Sequence, residues 1–94
     1  MRVKWLRGAL RNLHQAVDYI ARDNRGAAVE VSERIREAAL QLEHHPFMGR
    51  PGRLTATREL IVPKLPYVIR YRVKLETVEI LRIHHTARRW PEEN

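Results

Sequence analysis

The chain contains no cysteine. That absence excludes a disulfide-stapled scaffold, a zinc site built on thiolates and a cysteine nucleophile, and it fits a reducing compartment. Long apolar runs are also missing: none approaches the ~20 residues that a membrane-spanning helix needs, and Met1 is not followed by the apolar stretch of a signal peptide. We therefore expect a soluble, cytoplasmic protein that does not enter a membrane.

Acidic side chains are scarce in the C-terminal half. The 94 residues carry 18 Lys+Arg against 11 Asp+Glu, a formal net charge of +7. Residues 46–91 hold ten basic side chains, most of them arginine, and only three acidic ones. The planar guanidinium suits phosphate and carboxylate groups. This half of the chain therefore favours an anionic partner, either nucleic acid or an acidic protein segment.

The first half of the sequence has a helical pattern. Residues 2–5 alternate polar and apolar, which predicts a short first strand. Apolar residues then recur at helical spacing, which predicts one helix over about 6–23 and a second over about 26–44. Because the break between them is short, we expect an antiparallel helical hairpin.

The second half reads as a sheet. Residues 46–56 are rich in proline and glycine and predict an ordered but irregular loop. Three strands are predicted after it, over about 57–62, 67–74 and 77–84, the last two joined by a tight turn. We predict an α+β fold of order β-α-α-β-β-β. The helical hairpin packs on one face of a small, twisted, mostly antiparallel sheet, and residues 1–94 form a single domain.

The strand over 67–74 has two distinct faces. One face carries four large apolar or aromatic residues that should pack under the helices: Tyr67, Ile69, Tyr71 and Val73. Arg70 and Arg72 share the opposite face, and we expect their guanidinium groups on an open sheet surface. The strand over 77–84 has apolar residues on both faces. This predicts a central strand that pairs with the first strand as well as with 67–74.

The ordered set of motifs resembles the RelE/ParE superfamily of bacterial toxin–antitoxin toxins. The matching residues run nearly end to end through the chain: Trp5, Asp18-Tyr19-Ile20-Ala21, Leu42, Pro46, Gly49, Arg50, Thr57-Arg58-Glu59-Leu60, Pro66-Tyr67-Val68-Ile69-Arg70-Tyr71-Arg72-Val73, Val78-Glu79-Ile80-Leu81-Arg82-Ile83, His85 and Arg88-Arg89-Trp90-Pro91.

The resemblance implies a toxin but leaves its chemistry open, since this fold serves two activities. The RelE-like branch enters the ribosomal A site and cleaves messenger RNA without a metal, whereas the ParE-like branch inhibits DNA gyrase and is not known as a nuclease. Both imply a cognate antitoxin, an acidic protein that wraps the toxin, and they allow a higher-order toxin–antitoxin complex. A small basic nucleic-acid-binding module remains a third reading, although arginines stand where base-stacking aromatics would be needed.

RNA cleavage needs a general base, a general acid and cations over the phosphate. Candidates exist for each role. Arg70 and Arg72 would hold the phosphate, His85 or His84 would act as base or acid, and Glu59 would act as base. We expect no cofactor and no metal, because adjacent histidines rarely chelate one ion and neither cysteine nor clustered aspartate supports a site.

Two departures from the nuclease pattern favour the ParE-like branch. RelE-type nucleases tend to carry the catalytic arginine directly after the aromatic residue that begins this strand, and here Val68 follows Tyr67. The C-terminal tyrosine of several nucleases is also missing, and Trp90 cannot transfer a proton. We therefore predict a gyrase-directed toxin. Its expected contacts with target or partner share a basic or aromatic character: Arg58, Arg70, Arg72, Arg82, His84, Arg88, Arg89 and Trp90.

Overall fold

The computed structural model describes residues 1–87 and has the predicted α+β architecture, two helices packed on one face of a sheet. The elements in chain order are β1 (Arg2–Trp5), α1 (Arg7–Ala21), α2 (Arg25–Leu40), a 3₁₀ turn (Gln41–Glu43), β2 (Arg50–Pro51), β3 (Arg58–Ile61), β4 (Tyr67–Lys74) and β5 (Thr77–His85). The sequence prediction missed β2, since two residues inside a loop rich in proline and glycine carry no periodicity.

The sheet has five strands in the order β1-β5-β4-β3-β2. β1 runs parallel to β5, and the other neighbours are antiparallel. β5 is therefore a central strand that pairs with both β1 and β4, as predicted from its apolar residues. On the β1 side, β5 continues beyond the end of β1, and there the Asn12 side chain of α1 accepts a hydrogen bond from the Ile83 amide (3.0 Å).

β5 contains a β-bulge, and this bulge explains why apolar residues occupy both odd and even positions along the strand. Arg70 pairs with Arg82, but the next residue, Tyr71, pairs with Ile80, so Leu81 is an extra residue on β5. One extra residue reverses the alternation of a strand. As a result, Ile80 before the bulge and Ile83 after it are both buried in the same core.

The core lies between the helical hairpin and the sheet. Asn24 is the N-cap of α2: its side chain accepts a hydrogen bond from the Ala27 amide (2.9 Å). The predicted second helix ends earlier than expected, at Leu40, where the 3₁₀ turn takes over. The largest fully buried side chains come from both layers: Leu13, Ile35, Leu42, Val62, Ile69, Tyr71, Val78 and Ile80.

Tyr71 joins this core to the loop that follows the helices. Its hydroxyl donates to the Pro46 carbonyl (2.8 Å) and accepts from the Gly49 amide (2.9 Å). Gly49 packs so closely on the sheet that a Cβ there would lie 2.7 Å from the Tyr71 hydroxyl and 2.9 Å from the Glu59 carbonyl oxygen. Only glycine fits at this position without moving the strand or the ring.

In residues 1–87, no helix combines the length and the apolar character that crossing a bilayer requires.

Gly49→Ala is expected to destabilise the fold by ~1–3 kcal/mol, because the added methyl group meets a buried ring and backbone that cannot move freely. Gly26→Ala is the matched control: its Cβ meets only the Asn24 side chain, at 3.4 Å, and alanine is favoured in a helix. Urea denaturation should show a lower midpoint for Gly49→Ala alone. Equal midpoints for the two variants would contradict this packing.

Candidate functional site

The sheet face that points away from the helices carries a row of charged residues, one from each of four neighbouring strands. Arg50, Glu59, Arg70 and Arg82 are successive register partners across β2, β3, β4 and β5. We call these four residues the outer-face row. Its last two members are both arginines directly opposite each other, an arrangement that is unfavourable unless other charges compensate it. The row is therefore strongly basic.

Glu59 is buried, and both of its carboxylate oxygens are engaged. One oxygen accepts from the Arg50 guanidinium (3.2 and 3.3 Å), and the other accepts from the Arg53 backbone amide (3.2 Å). The carboxylate thus holds the segment that contains β2 against β3. The predicted general base is occupied in an ion pair.

Arg70 lies at the centre of the outer-face row and is only 2% exposed. The expectation of a guanidinium on an open surface was wrong, because long side chains from both neighbouring strands flank it. Burial lowers the pKa of Arg70, the opposing Arg82 lowers it further, and Glu59 partly offsets both effects. Arg70 is a buried charge and not a free surface cation.

Arg72, two residues further along β4, is tied to β5. Its Nε donates to a Glu79 carboxylate oxygen at 2.6 Å, in a side-chain pair that solvent partly reaches. This hydrogen bond is the largest influence lowering the pKa of Glu79, and the positive charges of Lys74 and Lys4 act in the same direction. Lys4 is the register partner of Glu79 on β1, so the Glu79 carboxylate interacts electrostatically with cations on both β1 and β4.

His84 and His85 point to opposite faces of the sheet, as predicted for adjacent strand residues. His85 pairs with Tyr67 on the helix side, where the two rings meet edge to face with centroids 5.3 Å apart. Its Nδ1 accepts a hydrogen bond from the Ala87 amide (3.1 Å). His84 pairs with Val68 and lies on the outer face, the same side as Arg70.

The outer face lowers the pKa of His84 to about 4 from 6.5. Burial is the largest cause, followed by the positive charges of Arg70 and Arg82; Glu59 acts in the opposite sense, and Arg53 adds to the lowering. His84 is consequently neutral at neutral pH.

The guanidinium groups of Arg58 and Arg82 both donate hydrogen bonds to backbone carbonyls of the protein itself. Arg58 reaches toward the helix side, where its Nη1 donates to the carbonyls of Phe47 (3.2 Å) and Gly49 (2.7 Å) while the guanidinium stacks on the Phe47 ring at 5.1 Å. Arg82 donates to the Leu81 carbonyl (2.7 Å) and lies so close to Gly8 of α1 that a Cβ there would overlap it.

The predicted tail contacts Arg88, Arg89 and Trp90 lie outside the described residues. Of residues 1–87, no three His, Cys, Asp or Glu side chains are grouped so that they could hold a metal ion.

The sequence reading missed an apolar surface at the edge of the sheet. Phe47 and Met48 are 59% and 48% exposed in the loop after α2, and Ile61 of β3 is 53% exposed. Met48 and Ile61 line a groove of about 330 Å³ between α2 and β3, which we call the edge groove; Arg34 and Pro63 also border it. The sequence feature that could have indicated this surface is the pair Phe47-Met48, two large apolar residues in a segment otherwise rich in proline, glycine and arginine.

The structure brings four of the five residues proposed for cleavage to the outer face: Glu59, Arg70, Arg72 and His84. Glu59 is held there by Arg50 and Arg72 by Glu79, whereas His85 lies on the opposite face of the sheet. What the outer face offers chemically is a concentration of positive charge with one neutral imidazole, His84. The arrangement suits recognition of an anionic or acidic surface.

A helical hairpin packed on a five-stranded sheet is the fold that the resemblance to the RelE/ParE superfamily implied. Residues 3–90 match the family model described as the ParE toxin of the type II toxin–antitoxin system, parDE, and the chain belongs to this family. It is thus the toxin component of a type II toxin–antitoxin system, as the resemblance implied.

Relatives from two bacteria span nearly the whole chain. The putative toxin Y4kP of Sinorhizobium fredii is 42% identical over 91 residues, covering 97% of this chain and 94% of the relative. Toxin RelE2 of Caulobacter vibrioides is 40% identical over 86 residues, covering 92% and 96%. A chain from the chromosomal ParDE system of P. aeruginosa superposes with a TM-score of 0.82 at 28% identity, covering 90% of this chain and 95% of that one.

The lowered pKa of His84 predicts a loss of stability in acid. In the unfolded chain the His84 imidazole binds a proton near pH 6.5, and in the folded protein only near pH 4. The contribution of a neutral His84 to the free energy of unfolding is therefore fully present above pH 6.5 and is lost as the pH falls toward 4. Allowing for solvent screening, we expect a loss of ~1–3 kcal/mol. His84→Gln should reduce the difference between urea midpoints at pH 7 and pH 4.5, while His14→Gln, an exposed histidine of α1, should preserve it. An unchanged difference in His84→Gln would contradict the assignment.

Proposed function

We propose that this toxin arrests growth in the cytoplasm by acting on DNA gyrase through surface contacts, without cleaving RNA, and that a cognate acidic antitoxin neutralises it. The observation that carries the proposal is the engagement of the candidate catalytic groups: Glu59 and Arg72 are ion-paired within the sheet, and His85 lies on the face opposite Arg70. Cleavage of RNA requires a base, an acid and a cation around one phosphate.

The faces on which His85 and Arg70 lie argue against such a centre at the positions predicted for it. His85 is on the helix side against Tyr67, and its Nδ1 is engaged by the Ala87 amide. Arg70 is buried on the opposite face. A single phosphate cannot contact groups on both faces of a strand, since the sheet itself lies between them.

The positive charge of the toxin supports an acidic antitoxin. A type II toxin has a protein antitoxin, and this toxin carries a net charge of +7. The outer-face row contributes three arginines against one glutamate. Electrostatic complementarity favours an acidic partner, and it also favours fast association of that partner at low salt.

A second candidate, metal-independent cleavage of ribosome-bound messenger RNA, has one observation in its favour. His84 lies on the same face as Arg70, which places an imidazole beside a cation, although its lowered pKa of about 4 weakens it as a base. One relative at 40% identity also bears the name Toxin RelE2. This version of the nuclease would use His84 in place of His85.

Variants at the two histidines and at Arg72 distinguish these functions. We expect His85→Gln, His84→Gln and Arg72→Ala all to keep arresting growth, because a contact surface tolerates the loss of one group that does not transfer protons. The purified protein should inhibit DNA supercoiling by gyrase and leave messenger RNA intact in a cell-free translation assay read by primer extension.

A nuclease would behave differently in the same assays. Messenger cleavage that falls ~10²–10⁴-fold in His84→Gln or His85→Gln, with gyrase unaffected, would assign the protein to RNA cleavage. Circular dichroism of each variant verifies that a loss of toxicity is not a loss of fold.

A further inference from the structure

The turn that joins β4 to β5 contains a leucine in a backbone conformation that favours glycine. Lys74 pairs with Thr77, so Leu75 and Glu76 are the two central residues of a tight hairpin. Of these two, only Leu75 has a positive φ (58°). In two-residue hairpin turns such a position is usually Gly, Asn or Asp, because a larger side chain crowds the backbone in the left-handed region. Leu75 therefore lowers the stability of the turn.

Packing does not compensate for this strain. The Leu75 side chain is 90% exposed, the largest exposed fraction of any large hydrophobic residue within 1–87. Its neighbours Lys74 and Glu76 are exposed as well, so the whole turn projects from the end of the sheet. A strained residue that contributes nothing to the protein's own core is typical of a functional position.

Backbone hydrogen bonds fix the turn in position. The pairing of β4 with β5 continues up to Lys74 and Thr77. From β1, the Arg2 amide donates to the Glu76 carbonyl at 3.3 Å. Leu75 is thus presented at a fixed place, and an apolar side chain that is already fixed binds a partner with little further loss of conformational entropy.

The shape and the charge of the turn indicate the kind of partner that it fits. A leucine that projects from a turn is buried by a concave apolar pocket, which a folded protein can provide and an extended segment cannot. Lys74 and Glu76 carry opposite charges, so the turn does not select an acidic partner as the outer-face row does. One leucine also buries far less area than a stable dimer requires, which argues against a second copy of this chain.

We propose that Leu75 is an anchor through which the toxin contacts its target, and that its side chain enters an apolar pocket on a folded target protein. The inference rests on the proposed action through surface contacts and names one of those contacts. It does not depend on whether the target is gyrase.

Replacing Leu75 with Asn separates the strain from the contact. Asn tolerates a positive φ but has no apolar side chain. We expect Leu75→Asn to raise the midpoint of urea denaturation. At the same time it should increase the amount of toxin needed to halve the growth rate at least ~10-fold, a loss usual for a truncated interface anchor. Leu75→Met retains an apolar side chain and should change that amount less than ~3-fold.

Lys64→Asn is the matched control. Lys64 is also exposed and has a φ of 64°, but it lies between β3 and β4, at the opposite end of the sheet. Its replacement should raise the urea midpoint in the same way and leave growth arrest unchanged. An equal loss of growth arrest in Lys64→Asn would contradict a specific contact at Leu75.

Two binding measurements identify the partner of Leu75. Titration calorimetry of Leu75→Asn with the purified protein encoded by the adjacent reading frame should give the parent affinity, and sedimentation should give the parent mass. A loss of affinity would assign Leu75 to the antitoxin, and a change from dimer to monomer would assign it to a second copy; either result would overturn the proposal.

Full growth arrest by Leu75→Asn, or a urea midpoint below that of the parent, would also overturn it. The same experiment distinguishes this failure from that of the proposed function. A parent protein that arrests growth without inhibiting gyrase would contradict gyrase as the target, whereas the comparison of growth arrest would still decide the role of Leu75.

Discussion

The hydrogen bonds of the Tyr71 hydroxyl are the interaction on which the other features depend. The ring lies in the middle of the core, where burial raises the pKa of a hydroxyl that is protonated at neutral pH in any case and so can donate. A buried hydroxyl that lost its partners would cost ~1–3 kcal/mol. The chain after α2 is therefore drawn down to the sheet at Pro46 and Gly49, and this contact sets where β2 begins.

The arrangement of charged residues on the outer face of the sheet depends on this position of the loop. Once Gly49 is seated, Arg50 reaches β3 and pairs with Glu59, whose second oxygen binds the Arg53 amide. Glu59 in turn is the neighbour of Arg70 on β4. The carboxylate that the sequence offered as a general base is here used to hold a loop.

The bulge at Leu81 has a comparable effect on the far side of β4. It keeps Ile80 and Ile83 in one core and sets Arg82 opposite Arg70. Two arginines in register make the outer face basic. Burial, and after it the positive charges of these arginines, lowers the pKa of the neighbouring His84 and keeps its imidazole neutral. The same strand geometry directs His85 to the helix side, away from both arginines.

Much of the fold was predictable from local patterns. Helical spacing identified both helices, period-two alternation identified β4, and the apolar residues of β5 indicated its central position, although the bulge behind that pattern was not foreseen. The faces of Arg70 and Arg72 were predicted correctly, but the exposure of Arg70 was not, because exposure depends on which side chains the neighbouring strands bring alongside. The partners of Glu59 were equally unpredictable, since Arg50 and Arg53 belong to a loop without periodicity.

By itself, the sequence determined the class of protein, the basic character of its second half and the residues that alternate between core and outer face. These are properties of composition and of spacing along the chain, which need no knowledge of long-range contacts. Only the tertiary structure decided that Glu59 and Arg72 are ion-paired, that Arg70 and His85 are separated by the sheet, and that Phe47 and Met48 are exposed in a loop held by Tyr71 and Arg58. Each of these depends on contacts between residues distant in sequence, and such contacts are fixed by strand register, a single bulge and the reach of one buried hydroxyl.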